Sequence, residues 1–479
     1  MNHKVITYIL GWVLKIEAAC MLLPLIFSAV YGEQSAICAF VICTAFCLAA
    51  GTALTLRHPE NKSMYARDGF VTVALSWIVI SIFGAFPFVL SGSIPNFIDA
   101  LFETASGFTT TGASILTDVE ALPKGMLLWR SLTHWLGGMG VLVFLVAILP
   151  LAGSNNFHLI RAESPGPSVS KLVPKIKSTA KLLYVIYIIF TVCEALLLLL
   201  GGLSLFEALT LTFGTVGTGG FAILNAGIAP YSAYVQIVIT VFMFMCGIDF
   251  SLYHLIYLRK VKSLLNSDEL KAYVSIIFIA VALIFINCHS LFSSVGEGLR
   301  HVFFQVVSLM TSTGYSTTDF DLWPQFSKTI LITLMFIGAC AGSTGGGIKV
   351  SRILILLKSI VKEVKIGAHP KSTMKIKMNG RAVEHETVRA VNVFIAAYFS
   401  IFALSLIVIS IDNFDFMTCF SSVVTTLGNM GPGFSLVGPT RNFSIYSPLS
   451  KIVLTLDMLI GRLEIFPILI LFSPYTWKK

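Results

Sequence analysis

The sequence predicts an all-α polytopic membrane protein: four span–half-helix–span repeats about a pseudo-fourfold axis, preceded by two extra N-terminal spans. Three observations predict it. Long apolar runs sit on a background of little charge, the basic residues alternate in side along the chain, and one fourteen-residue frame recurs four times. Of the 479 residues 56% are hydrophobic and 12% charged, about half the charge of a soluble domain.

A bilayer-crossing helix needs ~20 mostly apolar residues. Ten such runs are present, at about 5–30, 35–56, 69–90, 125–151, 180–202, 231–258, 272–292, 326–358, 388–411 and 446–473. The first holds Lys15 and Glu17, with few basic residues ahead of it, and reads as a retained span rather than a cleaved signal. Lys15 and Glu17 read as a local pair, or as side chains reaching for an interface. The nine cysteines, Cys20, Cys38, Cys43, Cys47, Cys193, Cys246, Cys288, Cys340 and Cys419, contain no CxxC. They read as buried thiols rather than a disulfide frame or a zinc site.

The net charge of +9 reflects topology rather than nucleic-acid binding. With the N-terminus in the cytoplasm, the inner segments hold 24 of the 33 Lys and Arg residues and the outer face six: Lys124, Arg130, Arg300, Lys328, Arg441 and Lys451. That asymmetry predicts an even span count with both termini inside. Two inner segments, 152–179 with Ser164-Pro165-Gly166-Pro167 and the basic 359–387, read either as solvated linkers anchoring to anionic lipid or as docking sites for a cytosolic regulator. No soluble domain is visible.

Between alternate spans lie four segments too short to cross. Asp99–Gly112, Glu207–Gly220, His301–Gly314 and Thr418–Gly431 align without a gap, each a half-length apolar stretch ending in a Thr/Ser/Gly strip. Their terminal glycines are 108, 94 and 117 residues apart, so one unit is used four times. The divisions that follow are 1–56 (two leading spans), 57–152 (strip 109–113), 153–262 (strip 217–221), 263–360 (strip 311–315 and an intramembrane loop 338–349) and 361–479 (strip 428–433).

Irregular backbone at membrane depth is tolerated only where it is buried in protein or lines a wet cavity. Four strips around one pseudo-fourfold pore could offer rings of carbonyls that replace the water shell of a monovalent cation. Glycine permits the positive φ that turns a carbonyl to the axis. Threonine and serine hydroxyls could hold the outer wall. The predicted ion-contacting residues are Thr110, Thr111 and Gly112; Thr218, Gly219 and Gly220; Ser312, Thr313 and Gly314; and Asn429, Met430 and Gly431.

The run Gly338-Ala-Cys-Ala-Gly-Ser-Thr-Gly-Gly-Gly-Ile-Lys349 breaks the span 326–358, since each glycine costs a helix up to ~1 kcal/mol. It is no phosphate-binding loop, because Ile348 stands where that motif requires lysine. Charges at membrane depth are costly and usually functional. Arg462 either raises a barrier to cations, with Lys349 adding to it, or is neutralised by Asp457 or Glu464. Asp249 is a candidate cation attractor at an inner vestibule, Glu194 a helix-packing residue, and His134 a packing residue rather than a ligand. No catalytic cluster of His, Asp, Glu or Cys is apparent, which argues against an enzyme. A non-transporting scaffold is the remaining alternative to a cation conduit.

The pieces Thr109-Thr-Thr-Gly-Ala113, Arg161-Ala-Glu-Ser-Pro-Gly-Pro167, Phe303-Phe-Gln-Val-Val-Ser308, Cys340-Ala-Gly-Ser-Thr-Gly-Gly-Gly347 and Gly461-Arg-Leu-Glu464 together resemble the Trk/Ktr/HKT superfamily of potassium transporters, its bacterial TrkH/TrkG branch in particular. The resemblance covers essentially the whole chain. It implies a potassium-uptake subunit of the bacterial inner membrane whose four strips form a selectivity filter, with Gly112, Gly220, Gly314 and Gly431 as its glycines. Glycine at all four positions is the potassium-favouring pattern, whereas serine at the first is linked to sodium passage in plant relatives. It further implies a gate built from Gly345, Gly346, Gly347, Lys349 and Arg462, no cofactor in this chain, and K+ as the transported ion. A homodimer is implied, with one pore per subunit and a cytosolic TrkA-type nucleotide-binding regulator. Symport coupled to sodium or protons, or service as the potassium-binding subunit of an ATP-driven pump, are the alternatives within transport. Strip two departs from the family pattern in its glycine content, Gly217-Thr-Gly-Gly220, which predicts a more flexible strip. Asp249 stands where an uncharged polar residue is expected.

Overall fold

The computed structural model describes residues 1–59, 64–148, 176–259, 264–370 and 374–477. The Arg161–Pro167 motif and the basic residues Lys62, Arg161, Lys171, Lys175, Lys260, Lys262, Lys371, Lys478 and Lys479 lie outside the described residues.

The first two spans are α1, His3–Tyr31, and α2, Gln34–Thr55. They pack as an antiparallel pair whose closest approach is at Gly11 and Gly51, where a Cβ on either would meet the other's carbonyl oxygen at 2.8 and 2.7 Å. Lys15 donates from Nζ to Thr55 Oγ1 at 2.6 Å. Glu17 is buried and its carboxylate has no hydrogen-bond partner among the described residues, so the expected Lys15–Glu17 pair does not form.

Four units follow. In the first, α3 (Ala66–Leu90), the half-helix α4 (Phe97–Phe108) and α5 (Lys124–Ile148). In the second, α6 (Ile176–Leu200), the half-helix α7 (Leu205–Val216), α8 (Ala233–Cys246) and α9 (Phe250–Tyr257). In the third, α10 (Asp268–Cys288), the half-helix α11 (Val295–Met310), α12 (Gln325–Ile337) and α13 (Val350–Ala368). In the fourth, α14 (His385–Ile409), the half-helix α15 (Phe416–Gly428), α16 (Pro448–Arg462) and α17 (Phe466–Phe472). Among the described residues six helices, α1 and α2 included, are long and apolar enough to cross a membrane, or seven if the bent pair α8–α9 is one span. Large apolar side chains such as Leu22, Ile26, Val192, Ile286, Leu404 and Ile407 remain exposed around the outside, as a lipid-facing belt requires.

Each half-helix of 12, 12, 16 or 13 residues rises about 18–24 Å at 1.5 Å per residue, too little to span ~30 Å of hydrocarbon. Each starts on a side-chain cap: Asn96, Ser204, Ser294 and Asp415 accept from a first-turn amide.

Three second spans are interrupted. The expected continuous run 231–258 bends by 93° between α8 and α9, where the Asp249 carboxylate caps α9 by accepting from Ser251 N at 2.8 Å. The run 326–358 is opened at 338–349, as its glycines predict. The run 446–473 breaks after Arg462, with Glu464 at φ 56° and Ile465 at φ 72°. Hydropathy alone misses the first and third breaks because Ile248, Leu463, Ile465 and Phe466 keep both runs apolar. The basic stretch 359–387 is also more ordered than a linker. Helix α13 runs to Ala368, and Lys377–Met378 pairs with Arg381–Ala382 in a small antiparallel hairpin.

Two of the six cations assigned to the outer side are buried in ion pairs. Arg130 pairs with Glu103 at 2.8 Å and Lys451 with Asp99 at 2.6 Å. Outside the spans, Asn225 clasps the loops of the first two units, donating from Nδ2 to Asp118 Oδ1 at 2.8 Å. That amide holds the Asp118 carboxyl below its usual range.

Candidate functional site: four strips and an intramembrane loop

The four half-helices end identically. Thr110, Thr218, Ser312 and Asn429 are left-handed, with φ of 56°, 55°, 58° and 54°. Their amides bond three residues back, to Gly107, Thr215, Leu309 and Thr426, and the next amides bond five back, to Ser106, Gly214, Ser308 and Thr425. This is the Schellman termination, carried here by residues with a Cβ, each of which forgoes about 1 kcal/mol in that conformation. Two residues on, Gly112, Gly220, Gly314 and Gly431 take φ of 80°, 76°, 83° and 86°.

The strips follow one another around a closed circuit. A Cβ on Gly112 would lie 2.0 Å from the Gly219 carbonyl oxygen, and one on Gly220 would lie 1.9 Å from that of Thr313. A Cβ on Gly314 would lie 2.5 Å from the Met430 oxygen, and one on Gly431 would lie 2.8 Å from that of Thr111. Each glycine therefore abuts the equivalent residue of the next strip, and the fourth returns to the first. The twelve residues predicted from the frame are brought together in this ring, and every non-glycine among them is buried.

Hydroxyls hold the outer wall. Thr109 Oγ1 and Thr111 Oγ1 are 2.8 Å apart, as are those of Thr311 and Thr313. Asn429 Nδ2 donates to Thr111 Oγ1 and to the Met458 carbonyl, both at 2.9 Å, which joins strip four to strip one and to α16. Behind the outer limbs of strips one and two lies a group the frame alignment did not single out. Glu103 accepts from Arg130 Nε, from Ser114 Oγ at 3.0 Å and from Ile115 N at 3.0 Å. Arg130 reaches across to the Ala222 carbonyl at 3.2 Å and lies 4.0 Å from the Phe221 ring centre.

The loop 338–349 lies directly against the strips. Gly346 donates from its amide to Ser312 Oγ, and Gly347 N donates to Gly428 O at 2.9 Å. A Cβ on Gly345 would sit 2.7 Å from the Thr311 carbonyl, and one on Gly346 2.3 Å from that of Gly428. The two stems cross at Gly338 and Gly347, both at positive φ, where a Cβ on Gly338 would lie 2.8 Å from Gly347 Cα.

Two cations grip successive loop carbonyls. Lys349 Nζ donates to Gly345 O, and Arg462 donates to Thr344 O at 2.9 Å and to Gly137 O on α5 at 2.6 Å. The carboxylates raised as neutralising partners of Arg462 are engaged elsewhere: Glu464 pairs with Arg352, and Asp457 accepts from Ser405 at 2.7 Å. Three further contacts stitch the loop in place. Cys340 N bonds Gly247 O at 3.0 Å, Phe250 N bonds Gly342 O at 3.1 Å, and Glu269 Oε1 accepts from both Ala341 N at 2.7 Å and Ser351 N at 3.1 Å. Asp249 packs its carboxylate on Gly342 and caps α9, which accounts for its charge structurally. Glu269 escaped the sequence reading because it sits at the start of an ordinary-looking span.

A ring of backbone strips with a glycine-rich loop packed against it defines a membrane transport protein rather than an enzyme. The chain belongs to the TrkH family, described as cation transport proteins, whose profile matches residues 36–479. It is similar to the Trk system potassium uptake protein TrkH of Escherichia coli K12, 37% identical over the whole of both chains. It is also similar to TrkG of the same organism, at 32% over 99% of each. The fold is similar to the crystal structure of the potassium transporter TrkH from Vibrio parahaemolyticus, at a TM-score of 0.88 and 32% identity with both chains fully covered.

Proposed function

We propose that this chain is the ion-conducting subunit of a potassium-uptake system. The reading rests on one observation: the glycine-to-carbonyl circuit through Gly112, Gly220, Gly314 and Gly431. Twelve residues, three from each strip, surround the ion there. Carbonyls replace its water shell without reorganising, because Schellman caps, hydroxyl pairs and tight interstrip contacts hold them. The names of the similar proteins supply potassium as the ion.

In this reading Gly345, Gly346, Gly347, Lys349 and Arg462 form the gate. The loop blocks the path below the strips, and the two cations hold it shut while adding a positive barrier. The protein works as a homodimer in the bacterial inner membrane with both termini cytoplasmic. A cytosolic TrkA-type nucleotide-binding regulator moves the loop.

The test is rubidium or potassium flux into proteoliposomes with sodium competition, for the native protein and for Gly112→Ser. The serine meets φ of 80° and the Gly219 oxygen at 2.0 Å, so preference for potassium over sodium is expected to fall at least tenfold. Native flux that treats the two ions alike defeats the reading.

A further inference from the structure

We infer that His134 is a positioning residue for strip two, its ring standing in the space that the side chains of Thr111 and Thr313 occupy in strips one and three, and that it sets how sharply the ring of strips discriminates. In the common frame Thr109, Gly217, Thr311 and Gly428 are equivalent, and so are Thr111, Gly219, Thr313 and Met430. Strips one and three therefore carry two threonines whose hydroxyls bond each other at 2.8 Å. Strip two has two glycines, and with nothing in their place its backbone would have no wall behind it.

The imidazole of His134 supplies that wall behind Gly219, and the His134 backbone carbonyl closes the space behind Gly217. The side chain is fully buried. Its Nδ1 lies 2.8 Å from Gly107 O at the end of α4, and the Phe221 amide donates to its Nε2 at 3.2 Å. Nε2 thus accepts, so Nδ1 carries the proton and donates to Gly107. One neutral ring bonds the end of the first half-helix and the exit of the second strip, and it packs 4.1 Å from the Phe221 ring. A Cβ on Gly219 would lie 2.2 Å from the ring's Cγ and Nδ1, and one on Gly217 would lie 2.5 Å from the His134 carbonyl. The histidine ring and Gly219 are one packing solution, while Gly217 packs on helix backbone. The glycine at 219 makes room for the ring.

The inference rests on the filter reading and is tested so that the two fail differently. Potassium and sodium flux are measured in proteoliposomes for His134→Ala, Gly219→Thr, the double variant and His134→Gln, with yield of monodisperse protein scored separately. His134→Ala is expected to lose at least threefold in potassium preference, and Gly219→Thr to lose most of its flux through the clash. The double variant, with threonine in the vacated space and a hydroxyl beside Gly107, is expected to recover preference. His134→Gln, which keeps an acceptor for Phe221 N, is expected to retain most of it and gives the answer if the alanine variant does not accumulate. A role in folding alone would lower yield and leave the ion preference of the surviving protein unchanged. Native preference in His134→Ala, no recovery in the double variant, or lost preference in His134→Gln at normal yield each overturns the inference. Absence of preference in the native protein sinks the filter reading itself.

Discussion

Threonine, threonine, serine and asparagine hold left-handed positions that glycine would take more cheaply. At two of the four the side chain accounts for the choice. Asn429 ties strip four to strip one, and Ser312 accepts from the loop amide of Gly346; glycine there would surrender those anchors. Arg462 belongs to the same scale. Its guanidinium holds Thr344 O and Gly137 O, and hydrogen bonds from a charged donor contribute ~1.5–3 kcal/mol each. Removing both is expected to release the loop. Arg462→Ala should raise basal flux about tenfold or more, since ~1.4 kcal/mol is a factor of ten in an equilibrium. Unchanged or lower flux at normal expression would count against the clamp.

The loop 338–349, itself the break in the third unit, is the element on which the other two broken spans converge. The bend between α8 and α9 gives it Gly247 and Phe250, the break after α16 gives it Arg462, and α10 gives it Glu269. Because Glu269 receives the amides of both Ala341 and Ser351, one carboxylate pins the entry and the exit of the loop. Glu269→Gln keeps the shape and weakens both bonds, so basal flux should rise several-fold with potassium preference intact; a changed preference would place Glu269 in the ring's support instead. Glycine content and the repeated frame made the strips and the loop legible in the sequence, because both are local signals. Glu103–Arg130, His134 and Glu269 were not legible. Each acts across 27 to 87 residues, and nothing near a buried histidine or carboxylate in the chain names a partner that far away. The breaks at 247–249 and 463–465 were hidden for another reason: apolar residues continue through them while the backbone turns.

At the scale of the molecule, four unequal quarters make one ring, and its last joint is the most distant in sequence. Strip four meets strip one through Gly431 and Asn429, Phe443 N bonds Ser114 O at 2.8 Å, and Lys451 pairs with Asp99. Lys451→Met leaves the Asp99 carboxylate, one-quarter exposed, without this cation. The expected cost is about 1–3 kcal/mol, visible as a lower melting temperature of the purified protein. An unchanged melting temperature would mean that the apolar contacts of α4 with α16 suffice.

That joint also sets a timetable for the ribosome. Asp99 and Lys451 are 352 residues apart, so at about 5–20 residues per second the first quarter waits roughly 20–70 s for its final neighbour. Until then the circuit of strips stays open. On the proposed reading, a chain still being made, or cut short before its last quarter, is expected to leave the membrane sealed, with leakiness appearing only when synthesis is all but complete.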